Sequence, residues 1–431
     1  MVDDVFWDIP VQPPPSTAMQ QGTESSPSAP DATPPWYPSG LLSGTPDPST
    51  FELGLRTPMG KVYGWDFRDV LNLEWWQTLT VSWWGHWPER VDKVRVVAHT
   101  GNKIVLALDK RYIVHVYPFQ TGWDVSTLIR YAPWKDILED ERVLLPLGGL
   151  RNQHGDQMCM FDYHKMHTPE EISANLQDQL RLRQLGRDIG KVHASFQPET
   201  TPNAEWRWNA RLKALEGALN TTTLWRAPHT KHVLGIPPFH LSLDGLLWDE
   251  YHITLVPQPR PLTDALLCKD ERMPAVATIA NLEQVIALRG AFNEDASRAM
   301  FLASWEGSLP PTWGANTLRT LKGGLWIWRY EAILHQLARA RAFAQSEAEA
   351  MCMDWLNDVS RIQAKLGVLR MTSLVAKSAF MLCIFSFLSI GFAEEWEGAF
   401  QGSTRILLTN ILLFMAIGFH TYTDKHLPEP Y

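Results

Sequence analysis

Histidine and acidic side chains occur together in one stretch of this 431-residue chain, where they could move protons or hold a metal ion. The stretch reads FHLSLDGLLWDEYHITLVPQPR, from Phe239 to Arg260, and includes His240, Asp244 and Asp249. A histidine can serve as a base near neutral pH, and carboxylates are ligands that Mg²⁺ prefers. These three side chains are therefore the first candidates for chemistry.

Other short patterns of catalytic or metal-binding residues give weaker signals. The sequence contains no GxxxxGK[ST], GxGxxG, GxSxG or HExxH pattern. His154 begins a His-Gly-Asp triplet in a predicted turn, and the pairs His164/His167 and His229/His232 have no further ligand at the usual spacing. The four cysteines lie far apart and form no CxxC pair, which excludes a zinc ribbon or a disulfide scaffold. No metal site is predicted.

The composition is that of a globular chain whose acidic excess lies at one end. Hydrophobic residues make up 45% and charged residues 20%, which is enough apolar sequence to bury a core. The first 50 residues contain six acids and no Lys or Arg, so the remaining 381 residues carry 39 basic and 41 acidic side chains. Because no basic excess exists to hold a phosphate backbone, we expect no nucleic-acid partner.

A β-rich part followed by a helical part must position the candidate residues. Runs of apolar, β-branched residues predict strands at Val94–Ala98, Lys103–Leu108, Tyr112–Tyr117, Val143–Leu147 and Met158–Tyr163. A helix is predicted to begin at Thr168, because Pro169 stands at its first position and Glu171 completes a capping-box pattern. Apolar residues at helical spacing continue it to Phe196, and from Trp305 onward the chain is predicted to be mainly helical.

The order of these segments resembles the aminoglycoside phosphotransferase and choline kinase branch of the protein-kinase-like fold. The matching blocks are TGNKIVLALDKRYIVHVYP (Thr100–Pro118), VLLPLGGLRNQHGDQMCMFDY (Val143–Tyr163), LGRDIGKVHASF (Leu185–Phe196) and the Phe239–Arg260 stretch. In that family the first block covers the nucleotide and carries its lysine strand, and the last block holds the catalytic loop and a metal-binding aspartate. The resemblance spans residues 93–345 and implies an α+β fold with a β-rich N-lobe and a helical C-lobe.

Position by position, however, the resemblance places other residue types where the family has its functional ones. Anchored on the strand Leu246–Asp249, the family's catalytic aspartate falls on His240 and its metal-binding asparagine on Gly245. The metal-binding aspartate falls on Pro257, and the nucleotide lysine on His115. Phosphoryl transfer needs Mg²⁺ ligands and a cation on the phosphates, and Gly245 and Pro257 have no side-chain oxygen. The resemblance therefore implies a kinase-like fold without kinase chemistry, and we expect no cofactor, ATP and Mg²⁺ included.

Tryptophan is dense between residues 62 and 87, and proline is dense in the first 50 residues. The tryptophans are Trp65, Trp75, Trp76, Trp83, Trp84 and Trp87. Because Trp is enriched at interfaces, they are candidates for a partner interface; the alternative is packing on the following domain. The Pro-rich acidic segment is predicted to be disordered, and its Trp7 and Trp36 either dock on a partner or have no such role.

Two apolar runs near the end of the chain, Leu374–Ala393 and Ile406–Tyr422, are long enough to cross a membrane. Bulky apolar residues lie on all faces of the first run, which favours a membrane hairpin; the alternative is a buried hairpin of a soluble domain. Basic residues from Arg361 to Lys377 begin before the first run, and three glutamates separate the runs. The positive-inside rule then places the connecting loop outside, and both termini and the kinase-like domain on the cytoplasmic side.

The sequence thus divides into six predicted segments. They are an acidic disordered tail (1–55), a Trp-rich segment (56–92), an N-lobe (93–166), a C-lobe (167–345), a helical connector (346–371) and a transmembrane hairpin (372–431). This organisation predicts an integral membrane, catalytically inactive kinase-like protein that is a scaffold or accessory subunit. Its expected partners are the lipid bilayer and integral membrane proteins or a membrane complex. The alternative is a divergent small-molecule phosphotransferase that uses His240, Asp244 and Asp249 in a rearranged site.

Overall fold

The computed structural model describes residues 41–43, 53–65, 67–78, 83–100, 103–120, 130–152, 155–196, 199–200, 204–221, 234–249, 252–267, 272–288, 295–313, 324–392 and 399–426. The strands are β1 (Leu41–Ser43), β2 (Leu53–Thr57), β3 (Gly60–Gly64), β4 (Trp83–Gly85), β5 (Val94–Thr100), β6 (Lys103–Leu108), β7 (Tyr112–Val116), β8 (Phe119–Gln120), β9 (Gly148–Asn152), β10 (Gly155–Asp162), β11 (Glu199–Thr200), β12 (Leu234–Ile236), β13 (Leu246–Trp248), β14 (Ile253–Leu255) and β15 (Met273–Pro274). The helices are α1 (Leu73–Gln77), α2 (Lys135–Asp140), α3 (Pro169–Gln177), α4 (Gln179–Ser195), α5 (Ala204–Leu219), α6 (Leu262–Leu267), α7 (Ala275–Leu288), α8 (Asp295–Glu306), α9 (Gly324–Ala342), α10 (Ser346–Phe392) and α11 (Ala399–His426).

The first lobe is built on a six-stranded antiparallel sheet with the strand order β4-β9-β10-β7-β6-β5. Asp109 and Lys110 connect β6 to β7 with φ angles of 52° and 55°, the left-handed backbone that a two-residue hairpin turn favours. One face of β6 packs Ile104, Leu106 and Leu108 into the core of the lobe. The strands predicted around this hairpin are confirmed, because alternating apolar residues and a tight turn determine them locally.

The Trp-rich segment folds into this lobe. Its β4 is the edge strand next to β9, and Trp76 of α1 stacks on Trp87 with 5.5 Å between ring centroids. The Trp76 Nε1 donates a hydrogen bond to the Val70 carbonyl oxygen at 2.8 Å, and the residue is 1% exposed. For Trp76 the structure therefore corrects the interface prediction, because its ring lies inside the lobe. The remaining tryptophans of the set, Trp65, Trp75, Trp83, Trp84 and Trp87, are half-buried, and their interface role stays a prediction.

The second lobe is mainly helical, with one apolar core that extends from Tyr131 to Val359. Helix α4 packs closely against α8 because Gly190 leaves room for the neighbouring backbone; a Cβ there would lie 2.7 Å from the Trp305 carbonyl oxygen. At the end of α4, the buried His193 Nδ1 accepts a hydrogen bond from Trp305 Nε1 at 3.0 Å. A β-rich lobe followed by a helical lobe is the predicted fold class, which is confirmed.

Three predicted elements differ from the structure. The single helix predicted from Thr168 to Phe196 is two helices, because Asp178 leaves the helical conformation and its carboxylate accepts a hydrogen bond from the Leu180 amide at 2.8 Å. The predicted strand Val143–Leu147 forms a single bridge at Val143, and the strand of the sheet is β9 instead. Inside the segment predicted to be a disordered tail, β1 and the start of β2 are strands, because they pair in a second sheet with β3.

Helix α10 joins the second lobe to the apolar hairpin without a break. It has 47 residues, which corresponds to about 70 Å at 1.5 Å per residue. Near its start, Trp355 stacks on Trp326 of the second lobe with 5.9 Å between ring centroids. The predicted connector and the first predicted span are therefore parts of one helix.

The later part of α10 and helix α11 form an antiparallel pair. Hydrogen bonds join the hydroxyls of Thr372 and Thr423 at 2.9 Å, and those of Ser386 and Thr409 at 2.6 Å. Both helices are long and apolar enough to cross a membrane, and only 17% and 11% of their most apolar windows are buried. The described part of the chain therefore includes two candidate membrane-spanning helices, and the loop between them lies outside the described residues.

Candidate functional site

The chemistry-bearing stretch forms a loop and a short hairpin at the junction of the two lobes. The loop passes through a 3-10 turn at Leu243–Gly245 and leads into the β13–β14 hairpin. The Gln258 amide donates a hydrogen bond to the His240 carbonyl oxygen, and the Val256 amide donates one to the Gly245 carbonyl oxygen, both at 2.8 Å. These bonds bring the start of the loop against the chain that leaves the hairpin, so the three predicted positions of the stretch, His240, Gly245 and Pro257, lie near one another.

A lysine from the first lobe enters this junction. Lys103, at the start of β6, forms an ion pair with Asp244, and its Nζ donates a hydrogen bond to Gln258 Oε1 at 3.0 Å. Lys103 is 5% exposed and Gln258 8% exposed. Lys103, Asp244 and Gln258, which we call the cleft cluster, thus link the β sheet to the loop of the helical lobe.

The ion pair controls the charge states in the cleft. Burial alone would raise the pKa of Asp244, but the nearby Lys103 ammonium outweighs it and holds the pKa of that carboxyl below its ordinary value. Burial and the same ammonium lower the pKa of His115 well below its ordinary value. At neutral pH Asp244 is therefore ionised and His115 is neutral.

His115 lies on the face of the sheet that borders the cleft. It is neutral at physiological pH, so it cannot supply a positive charge to a phosphate. It lies opposite Val105 and Cys159 in the sheet, is 1% exposed, and packs on Phe161 with 4.8 Å between ring centroids. The Tyr117 hydroxyl lies 3.5 Å from its Nδ1. The cation on this face comes from Lys103, which is two residues from Val105 and so shares its side of β6.

The two positions without side-chain oxygens leave little room for new ligands. A Cβ at Gly245 would lie 2.7 Å from the Val256 carbonyl oxygen and 3.2 Å from Gln258 Nε2. Pro257 is buried beside them. The neighbouring backbone packs directly against Gly245, so an asparagine side chain at this position would force the hairpin to shift.

An antiparallel sheet, a loop and hairpin at the junction, and a helical lobe follow one another along the chain. The fold is kinase-like. No protein-family model and no curated protein sequence matches the chain. Solved structures similar to this one include a glucosamine kinase in complex with glucosamine, ADP and inorganic phosphate (12% identity, 74% of this chain and 98% of that chain, TM-score 0.43). Others are a Plasmodium vivax ethanolamine kinase (9%, 62% and 80%, 0.39) and an ADP-bound aminoglycoside phosphotransferase (8%, 61% and 93%, 0.35).

His240 lies outside the cleft cluster of this kinase-like fold. Its Nε2 is 3.8 Å from Asp264 Oδ2, and neither ring nitrogen forms a hydrogen bond with a described residue. Burial lowers the pKa of His240 to about 3, and the charges that act on it are those of Asp264, Arg260, Arg130 and Arg211. The structure therefore places the His240 ring next to Asp264, whereas the Asp244 carboxylate pairs with Lys103.

Asp264 belongs to a second buried group of charges in the helical lobe. Its carboxylate, Glu331 and His335 have ligand atoms within 4.8 Å of one another, a set that could hold a metal ion. Arg211 forms ion pairs with both carboxylates, however, and Arg260 Nε donates to Asp264 Oδ2 at 3.1 Å. The two guanidinium groups balance the two carboxylates, so these residues fit an ionic network that joins α5, α6 and α9 better than they fit a metal.

Asp249 and His167 form hydrogen bonds outside the cleft cluster. Asp249 stands in the turn after β13, where its carboxylate accepts a hydrogen bond from the His252 amide at 2.5 Å. The His167 Nε2 accepts a hydrogen bond from the Trp248 amide at 3.0 Å, which is a structural role. His154, His229 and His232 lie outside the described residues.

Sequence reasoning missed Lys103 and Gln258. In the sequence, Lys103 is only the first residue of a predicted apolar strand. A lysine at the start of a strand whose other residues are all apolar could have indicated a buried ion pair. A buried ammonium in that position needs a counter-ion. Nothing local pointed to Asp244 as that counter-ion.

Proposed function

We propose that the chain is a membrane-anchored, catalytically inactive kinase-like protein that acts as a scaffold or accessory subunit of a membrane-associated complex. The cleft cluster is the observation that supports this function best. Lys103, Asp244 and Gln258 satisfy one another across the two lobes. A nucleotide phosphate or a metal ion would have to break this buried arrangement before it could bind.

Two further observations support the loss of phosphoryl transfer. The histidine at the catalytic position faces the Asp264 network, and the backbone around Gly245 leaves no space for a metal ligand. Mg²⁺ needs several oxygen ligands in near-octahedral geometry, and the Asp244 carboxylate is already paired with Lys103. A binding role does not need any of these groups.

The membrane anchor supports the scaffold part of the proposal. Apolar side chains on α10 and α11 are exposed, including Phe385 at 63%, Phe387 at 68% and Phe414 at 74%. Such a surface is covered by lipid or by other transmembrane helices. A domain held next to a membrane meets membrane partners at a raised effective concentration.

Nucleotide binding to the full-length protein in mild detergent tests the inactive cleft. We expect the melting temperature to stay unchanged in millimolar Mg-ATP, because a ligand stabilises only a protein that it binds. Lys103→Met removes the cleft cation, and Lys93→Met is the matched control, because Lys93 is exposed just before β5. A nucleotide-dependent rise that Lys103→Met abolishes and Lys93→Met retains would contradict the inactive reading.

Purification from the native membrane tests the scaffold role. We expect the wild-type protein to retain a stoichiometric membrane partner in mild detergent, and the Lys103→Met variant to retain it equally, because the partner does not use the cleft. Recovery of the wild type as a lone species would count against a scaffold or subunit.

A divergent small-molecule phosphotransferase is the second candidate, and one observation favours it. Lys103 places a cation on the cleft face of the sheet, next to the position where His115 has replaced the family's lysine. In that case Mg-ATP and a panel of amino-sugar and amino-alcohol acceptors should give acceptor-dependent ADP release. The release should be lost in Lys103→Met and kept in Lys93→Met, whereas the inactive reading predicts no release from any of the three proteins.

A further inference from the structure

A row of exposed cations lies on helix α4, on the helical lobe. Arg183, Arg187 and Lys191 are four residues apart, so their side chains follow one another along one face of the helix. All three residues are exposed, and none forms a hydrogen bond or a close ion pair with a described residue. We call these three residues the basic row.

The basic row borders a pocket of about 600 Å³ between α4, the end of α2 and the start of β14. Arg142 adds a fourth cation to the lining of this pocket, and its acidic lining residues are Asp140, Glu141 and Asp188. Asp188 is half-buried near Arg142, Arg187 and Lys191, and burial raises its pKa in spite of these cations. The lining therefore contains four cations and three acids, and three of these cations are exposed and lie along α4.

Two exposed apolar side chains lie beside the same pocket. Leu180 lines it and is 76% exposed, and Ile137 stands one turn before Glu141 on α2 and is 47% exposed. They are the only two exposed large apolar side chains in the described part of the chain outside α10 and α11. Cations next to isolated apolar anchors fit a partner that combines acidic and apolar residues.

The chain itself contains a segment of this chemistry. Residues 3–9 read DDVFWDI, with three aspartates among four apolar residues, and no Lys or Arg occurs in the first 50 residues. The 31 residues from 10 to 40 connect this segment to β1. A fully extended chain of that length spans about 100 Å, which exceeds the roughly 30 Å diameter of a small domain.

We propose that the segment Asp3–Ile9 binds the basic row of its own chain. The aspartates pair with Arg183, Arg187 and Lys191, and the apolar residues cover Leu180 and the pocket. The tail thereby covers a surface that an acidic partner would otherwise occupy. This interaction does not depend on whether the cleft binds a nucleotide.

Photo-cross-linking in the full-length protein in mild detergent tests the proposal. A photoreactive phenylalanine derivative replaces Phe6, and cross-linked peptides are identified by mass spectrometry. We expect cross-links to peptides that contain residues 137–142 or 179–191. Arg183→Glu/Arg187→Glu/Lys191→Glu should lower the yield about tenfold, because three exposed ion pairs become repulsive. The matched control Lys93→Glu/Arg111→Glu/Lys213→Glu makes the same change in net charge elsewhere and should keep the yield.

A charge swap separates a lost contact from a misfolded lobe. Changing Asp3, Asp4 and Asp8 to Lys in the protein with the reversed row should restore the cross-links. The proposal is overturned if the cross-links fall elsewhere, if they survive reversal of the row, or if they join two chains in dimers. It is also overturned if no cross-link to these peptides forms and the row instead binds vesicles that contain phosphatidylserine.

Discussion

At the scale of the residue, one lysine and one aspartate from different lobes set the electrostatics of the cleft. Lys103 is buried, and Asp244 is its counter-ion. We expect Asp244→Asn to lower the free energy of unfolding by about 1–3 kcal/mol at neutral pH, because a buried ammonium loses its charged partner while the Asp244 side chain is partly exposed. The double variant Lys103→Met/Asp244→Asn should be less destabilised than the sum of its single changes, because it buries no unpaired charge. Denaturant unfolding of the four proteins gives the coupling energy, and a value near zero would contradict the pairing.

The same pair should show a defined pH dependence. The folded-state pKa of Asp244 lies below its ordinary value, so its contribution is fully present above about pH 4 and is lost as the pH falls towards the lowered pKa. The difference in stability between wild type and Asp244→Asn should therefore be constant near neutral pH and shrink below about pH 4. A difference that does not change with acidification would mean that the carboxylate is not held by Lys103.

At the scale of the element, the boundary between α3 and α4 shows how a cap can override a helical pattern. Apolar spacing continues through Asp178, yet the chain breaks there and Asp178 caps α4. We expect Asp178→Ala to lower the free energy of unfolding by about 1 kcal/mol, the usual cost of a lost N-cap. Asp354→Ala, at an exposed aspartate inside α10, is the control and should not be destabilising. Equal effects of the two changes would argue against the cap.

The elements that the sequence predicted well are those with local determinants. The β6–β7 hairpin follows from alternating apolar residues around Asp109-Lys110, and the capping box at Thr168 forms as expected. The order of the two lobes could also be predicted from the sequence, because the apolar residues of strands and helices recur with different periods. The cleft cluster could not be predicted in this way. Lys103 and Asp244 are far apart in sequence, and only the folded lobes show that one neutralises the other.

At the scale of the whole molecule, a continuous helix connects the kinase-like lobes to the apolar hairpin. Trp355 of α10 packs on the helical lobe, and the same helix becomes apolar on all faces further on. No flexible joint interrupts α10 between these two parts. In the membrane-anchored protein that we propose, the orientation of the domain is therefore tied to that of the hairpin, and one measurement of topology determines the side on which the cleft and the basic row lie.

Cysteine accessibility in intact cells measures that topology. In a Cys268→Ser background, Gly398→Cys lies just before α11 and Lys425→Cys lies at its exposed end, whereas Cys159, Cys352 and Cys383 are buried. Because basic residues flank the domain side of the hairpin and glutamates flank the loop, we expect a membrane-impermeant maleimide to label Gly398→Cys and not Lys425→Cys. Permeabilised cells are the control, and there both positions should react. Labelling of Lys425→Cys alone in intact cells would reverse the orientation, and labelling of neither position after permeabilisation would show that α10 and α11 are buried within protein.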